Sequence, residues 1–270
     1  MTTPSVTTDR DAAGAFELLA AASESPTVVA VLTDEELVAL QGTESTQLAG
    51  TPFLDEAKLP TEQASAIALR SLVARGLVVI DDEDREPEGD NVSTGEPVAR
   101  RAMQVDRTLA GLLALRSSPL AMVNLVRQVA DQATAMMIYL FPHSGVLEEF
   151  VTADGYHHFS VPTREAVPAR LQAYVDQAGV AGDTDSEPVT GTLEQLESDA
   201  AVAQQLADTR ALTVLTAINA KEHLQLSLMA TSQAVFVMDT PGDADVQTTV
   251  REVSRETLVS ILDDALPEID

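Results

Sequence analysis

The 270 residues carry 43 acidic against 16 basic side chains, a net charge of −27, and a field of that sign repels phosphate backbones and anionic membrane surfaces. Cysteine is absent, which excludes disulfides, thiolate nucleophiles, zinc–thiolate sites and iron–sulfur clusters. Apolar residues make up 45% of the chain, enough for a core, but with 3% aromatics and no Trp that core must be aliphatic.

The opening Met1-Thr2-Thr3-Pro4-Ser5 has no basic region followed by an apolar run, so no export signal is read there. No stretch approaches the about 18 uninterrupted apolar residues of a membrane span. The longest apolar runs, 133–141 and 233–238, have strand lengths. A cytoplasmic location is expected, with neither a nucleic acid nor a membrane as partner.

Along the chain, residues 1–10 read as a tail, 12–22 as an Ala/Leu-rich helix and 26–32 as a short apolar strand. Thr33-Asp34-Glu35-Glu36 has the form of an N-cap with acids in the first turn and opens a helix to Leu40. Residues 42–58 are polar and irregular. Pro60-Thr61-Glu62 starts the next helix, with Ala66, Leu69, Leu72 and Val73 on its apolar face and Gly76 as its stop, followed by a strand over 77–80. This part is winged-helix-like. The acidic run 81–96 reads as a linker, and 99–116 as a helix with Met103, Leu109, Leu112 and Leu113 inward.

Strands are expected over 121–130, 133–141, 146–152 and 156–161, the last two joined across Ala153-Asp154-Gly155, a strong hairpin turn. Thr163-Arg164-Glu165 caps a helix to Gln177, a polar stretch covers 178–190, and 193–208 reads as one helix. The strand pattern then returns over 212–220, 223–230, 233–238 and 245–253, with a turn at Pro241-Gly242-Asp243, and Ser254-Arg255-Glu256 caps a last helix.

The two stretches resemble each other. Ala133-Thr134 before Met137-Ile138-Tyr139-Leu140 aligns with Ala230-Thr231 before Ala234-Val235-Phe236-Val237, and Val161-Pro162-Thr163-Arg164-Glu165 aligns with Val253-Ser254-Arg255-Glu256. The expected fold is therefore α+β: a duplicated antiparallel sheet-plus-helix unit, helices covering one face of the sheets, preceded by the winged-helix-like segment. In domain terms this is 1–98, then a first half over 99–190 and a second over 191–270.

Chemistry-bearing motifs are sparse. There is no Gly-x-Ser-x-Gly elbow and no glycine-rich phosphate loop. Of the histidines His143, His157, His158 and His223, the middle two are neighbours in a strand and so point to opposite faces; all four are expected at the surface or a rim. Asp183, Asp185, Glu187 and Glu194 fall at calcium-loop spacing, but Pro188 stands where that loop needs glycine. No catalytic, cofactor-binding or metal-binding residue is assigned, no cofactor is expected, and the partner-binding residues are unknown. A DNA-reading helix needs several basic residues, and 61–75 offers only Arg70 and Arg75.

Four segments carry a family resemblance: Leu32-Thr33-Asp34-Glu35-Glu36-Leu37, Leu72-Val73-Ala74-Arg75-Gly76-Leu77, Phe236-Val237-Met238-Asp239-Thr240-Pro241-Gly242 and the final helix. With the whole-chain layout, they make the sequence resemble the EspG family, cytosolic chaperones of type VII (ESX) secretion in actinobacteria. The resemblance implies two pseudo-symmetric sheet-and-helix halves and a non-enzymatic role: binding the exposed tip of a helical PE/PPE-type export substrate and keeping it soluble. A homodimer is a further arrangement the sequence leaves open. The alternatives are a winged-helix-like regulator contacting a transcription partner, or DNA around Arg70, Arg75, Arg100 and Arg101, and an enzyme without a readable motif.

Overall fold

The computed structural model describes residues 8–42, 50–80, 103–218, 223–239 and 247–269. The linker expected over 81–96 and the turn Pro241-Gly242-Asp243 lie outside them, as do residues 1–7 of the tail.

Helix α1 (Asp9–Ala20) starts at Thr8, whose hydroxyl accepts from the Asp11 amide while the Asp11 carboxylate accepts from the Thr8 amide. This reciprocal cap satisfies two of the N–H groups that every helix start leaves unpaired. Strand β1 (Ala30–Thr33) runs directly into α2 (Asp34–Gln41), where Thr33 and Glu36 repeat the device. The polar stretch expected to be irregular contains α3 (Pro52–Ala57), begun by a proline whose fixed φ suits a first helical turn. Helix α4 (Thr61–Ala74) buries Ala64, Ala68 and Leu72, and Ala66 faces solvent instead of joining the apolar face. Gly76 ends this turn at φ +71°.

Strand β2 (Val78–Ile80) pairs antiparallel with β3 (Met103–Val105), so Met103 belongs to a hairpin rather than to the helix expected over 99–116. Helix α5 (Arg107–Ser117) begins only after Asp106, whose carboxylate accepts from the Thr108 and Leu109 amides while its own amide donates to the Leu77 carbonyl. That cap fixes the helix start at a point the apolar pattern alone does not mark. Helices α1 and α5 cross at Gly14 and Gly111: a Cβ on Gly111 would lie 2.3 Å from the Gly14 carbonyl carbon.

Strands β4 (Ala121–Val129), β5 (Gln132–Phe141), β6 (Gly145–Val151) and β7 (Tyr156–Ser160) form a meander. A 3-10 turn over Arg164–Ala166 leads into α6 (Val167–Val175), with Pro168 in its first turn; Thr163 precedes it without making a side-chain cap. After β8 (Val189–Gly191), the helix expected over 193–208 is two, α7 (Leu193–Ser198) and α8 (Ala200–Leu206). The break is at Asp199, which leaves helical geometry and turns its carboxylate onto the Ala201 and Val202 amides. Strands β9 (Ala211–Ile218), β10 (His223–Ala230), β11 (Val235–Asp239) and β12 (Thr248–Val253) make the second meander, and α9 (Arg255–Asp264), capped by Ser254, closes the chain.

The sheet has ten strands in the order β1-β7-β6-β5-β4-β9-β10-β11-β12-β8, every neighbouring pair antiparallel. The order from β7 to β12 reads the same from either end, with the two meanders meeting at a β4–β9 seam. Val161-Pro162-Thr163-Arg164-Glu165 and Val253-Ser254-Arg255-Glu256 occupy the same join between last meander strand and helix. The other alignment pairs β5, second in its meander, with β11, third in its own, so it does not follow the topology.

Helices cover both faces, not one. On the first face, α6 and α9 place Leu171, Val175, Leu258 and Leu262 over Val123, Leu125, Ile138, Leu215, Leu228 and Val235. On the second face, Leu18, Leu37, Leu72, Leu109 and Leu112 of the N-terminal helices pack on Met137, Tyr139, Phe141, Leu147 and Phe159. At the sheet's other end, Leu196 of α7 and Val202 of α8 cover Met229, Phe236 and Val250. The seam lies between these two helical layers. No helix among the described residues is long and apolar enough to cross a membrane.

Candidate functional site

Alternation along β7 sends His157 and His158 to opposite faces, and their environments differ accordingly. His157 is fully buried, which corrects its expected place at the surface. Its Nδ1 lies 2.6 Å from Glu149 Oε1 and its Nε2 2.7 Å from Asp34 Oδ1. A ring with a carboxyl group on each nitrogen is satisfied best when both nitrogens carry a proton. Burial lowers the His157 pKa, but the hydrogen bonds and charges of Asp34 and Glu149 outweigh it and hold the pKa above its ordinary value.

Glu149 is equally buried, and its second oxygen accepts from Arg116 Nε at 2.9 Å and from the Tyr139 hydroxyl at 2.5 Å. Burial pushes its pKa up, yet the hydrogen bond from His157 and the Arg116 guanidinium bring it below the usual carboxylate value. Burial, reinforced by the Glu149 charge, lifts the Tyr139 phenol well above its usual range. Arg116 also donates to Gln41, at the end of α2. Asp34 Oδ2 accepts from the Phe53 and Leu54 amides at 2.8 and 3.2 Å, tying down the first turn of α3. The turn above it needs glycine: Gly155 has φ +77°, and a Cβ there would lie 2.6 Å from Phe53 Cβ and 2.8 Å from Asp34 Oδ2.

A carboxyl–imidazole–carboxyl relay beside a phenol has the composition of acid–base machinery. Its four charged members are each 1% exposed or less, so no substrate reaches it. The cluster instead fastens α2, α3 and α5 to β5, β6 and β7.

The other candidates disperse. His143 sits in a turn at φ +57° and is exposed, His223 is exposed, and His158 borders a groove on the first face. Asp185 is occupied: it accepts from the Ser254 amide at 2.6 Å and the Thr257 hydroxyl at 2.8 Å, and these bonds lower its pKa. Glu194 lies in the first turn of α7. Among the described residues no three His, Asp or Glu side chains converge on a metal position. Arg75 donates to both oxygens of Glu36, at 2.6 and 2.8 Å, which removes it from the surface charge a DNA contact would use. Arg100 and Arg101 lie outside the described residues.

The β4–β9 seam is a candidate surface that sequence reasoning missed. Across it the register pairs Met122 with Ile218, Asn124 with Thr216, Val126 with Val214 and Gln128 with Leu212. These side chains point to the second face, opposite Val123, Leu125, Leu215 and Ala217, which enter the first-face core. Val126, Leu212 and Ile218 remain 40–41% exposed. The alternation of β4 and β9 carries the signal in sequence: both faces of each strand are substantially apolar, although only one is needed for the core.

A scan against protein-family models matches none of them, and a search of the curated proteins returns no match.

Proposed function

We propose that this chain is a protein-binding chaperone that holds a helical PE/PPE-type type VII secretion substrate soluble in the cytoplasm, as its resemblance to the EspG family implies. The client's apolar helix tip seats on the β4–β9 seam. The observation that carries the reading is the seam itself: aliphatic side chains of two adjacent strands, left part-exposed by the described residues between two helical layers. Two strands about 5 Å apart offer a strip close to the about 10 Å diameter of one helix. Apolar strips rimmed by helices receive amphipathic helices by burying anchors at one-turn spacing.

The test uses a purified PE–PPE-type pair from the native organism. On size exclusion at micromolar concentrations, the reading expects one stable complex with the wild-type chain and its loss with Ile218→Asp or Val126→Asp. Both residues are about two-fifths exposed, so the variants keep the fold. Failure of every such pair to bind the folded wild-type protein overturns the proposal.

A further inference from the structure

On the face opposite the seam, α6 and residues 24–28 wall an open groove of about 860 Å³ floored by β5, β6 and β7. That volume falls within the range of small-molecule sites, about 300–1,000 Å³. Three rings meet along it. The Phe150 centroid lies 6.1 Å from that of His158 and 6.1 Å from that of Tyr174, which it meets edge-on at 75°. In a chain with six Phe, three Tyr and no Trp, such a gathering is out of proportion to composition.

The charges in the groove do not balance. Arg170 is committed to the buried Glu148: Nε reaches Oε2 at 2.7 Å and Nη2 reaches Oε1 at 2.5 Å, with the Ser160 hydroxyl at 2.9 Å on the same carboxylate. That pair is neutral as a unit. Glu24 and Glu165, exposed on the lining, have no ion-pair partner among the described residues, which leaves the groove negative. Tyr174 is buried behind Phe150, so the part-exposed Phe150 ring and the uncompensated carboxylates are the groups that attract one species, a cation. The apolar floor of Met136 and Phe150 favours one carried on hydrocarbon over a hydrated inorganic ion.

We infer that this groove binds a small organic cation, an ammonium or guanidinium on an apolar body, with the body against Phe150 and Met136 and the head towards Glu24 and Glu165. The inference stands apart from the chaperone reading, since the two sites lie on opposite faces of the sheet.

Calorimetric titration of the full chain with benzyltrimethylammonium at low salt tests it, with benzyl alcohol as the uncharged counterpart. One saturable site is expected, binding the cation about tenfold more tightly than the alcohol. Glu165→Gln weakens the cation about threefold, the effect of removing one exposed charge. Ala169→Phe, which fills the groove from an exposed position on α6, abolishes binding while circular dichroism remains native. The inference is overturned by the absence of saturable binding up to about 10 mM, by equal affinity for the alcohol, or by cation affinity unchanged in Glu165→Gln.

Discussion

Glu148 and Glu149 are consecutive on β6, and His157 and His158 are consecutive on β7, yet each pair is divided between two different kinds of site. Glu149 and His157 face the N-terminal helices and share a sealed cluster with Asp34, Arg116 and Tyr139. Glu148 and His158 face α6 and line an open groove, where Arg170 is partly in contact with solvent. The sealed cluster joins elements far apart in the chain, Asp34 to His157 across 123 residues. Its groups are held by geometry that water cannot relax. The groove pair is a contact of α6 with the sheet in which Glu148 is buried and solvent reaches only the Arg170 end.

The largest effect follows from breaking the sealed side. Arg116→Met removes one of the two cations on the buried Glu149 and leaves the sealed cluster with an uncompensated negative charge, and the expected loss is about 3–5 kcal/mol in urea unfolding. The matching change on the open side, Arg170→Met, also strips the cation from a buried carboxylate, but water can enter where the part-exposed guanidinium was, and the expected loss is smaller, about 1–3 kcal/mol. Equal losses would erase the distinction between the two faces.

Gly155→Ala approaches the same cluster through the backbone. It combines a left-handed φ with a Cβ pressed against Phe53 and Asp34, and the expected loss is about 2–3 kcal/mol, measured as a shift in urea midpoint at unchanged slope.

Titration sharpens the contrast further. The folded His157 pKa is raised, so its contribution to stability is complete below the unfolded value of about 6.5 and disappears as pH rises through the folded value. Glu149 is shifted the other way, so its contribution is present above the ordinary carboxylate value and is lost as pH falls through its lowered one. Urea midpoints should therefore decline from neutral towards alkaline pH, and His157→Gln should flatten that alkaline slope. A wild-type slope that survives the substitution would assign it to another group.

Local chemistry made much of the fold legible. The acids after Thr33, the serine before the last helix, Gly76 and the Asp154-Gly155 turn each announce a boundary by a short-range mechanism. Alternation located the strands of both meanders. Boundaries set by side chains folding back on the backbone were less visible: Asp106 delays α5, and Asp199 splits α7 from α8. Met103 reads as a helix position because its partner Ile80 is distant in sequence.

The sealed cluster was not legible as a site. His157 alternates with the buried Phe159, which places it inward, but its partners come from α2, α5 and other strands that no local pattern brings together. The seam was half legible. The sequence shows β4 and β9 as apolar strands, while only the topology puts them side by side with one face that no described helix covers.

If the client seats on the β4–β9 seam, the seam's methyl groups must sense it. Methyl spectra of the full chain, recorded with and without a PE–PPE-type pair, address it directly. Perturbations are expected at Val126, Leu212, Val214 and Ile218, with the methyls of Val28 and Val167 unmoved. Perturbations centred on the α6 groove, or none across the seam in a formed complex, would contradict it.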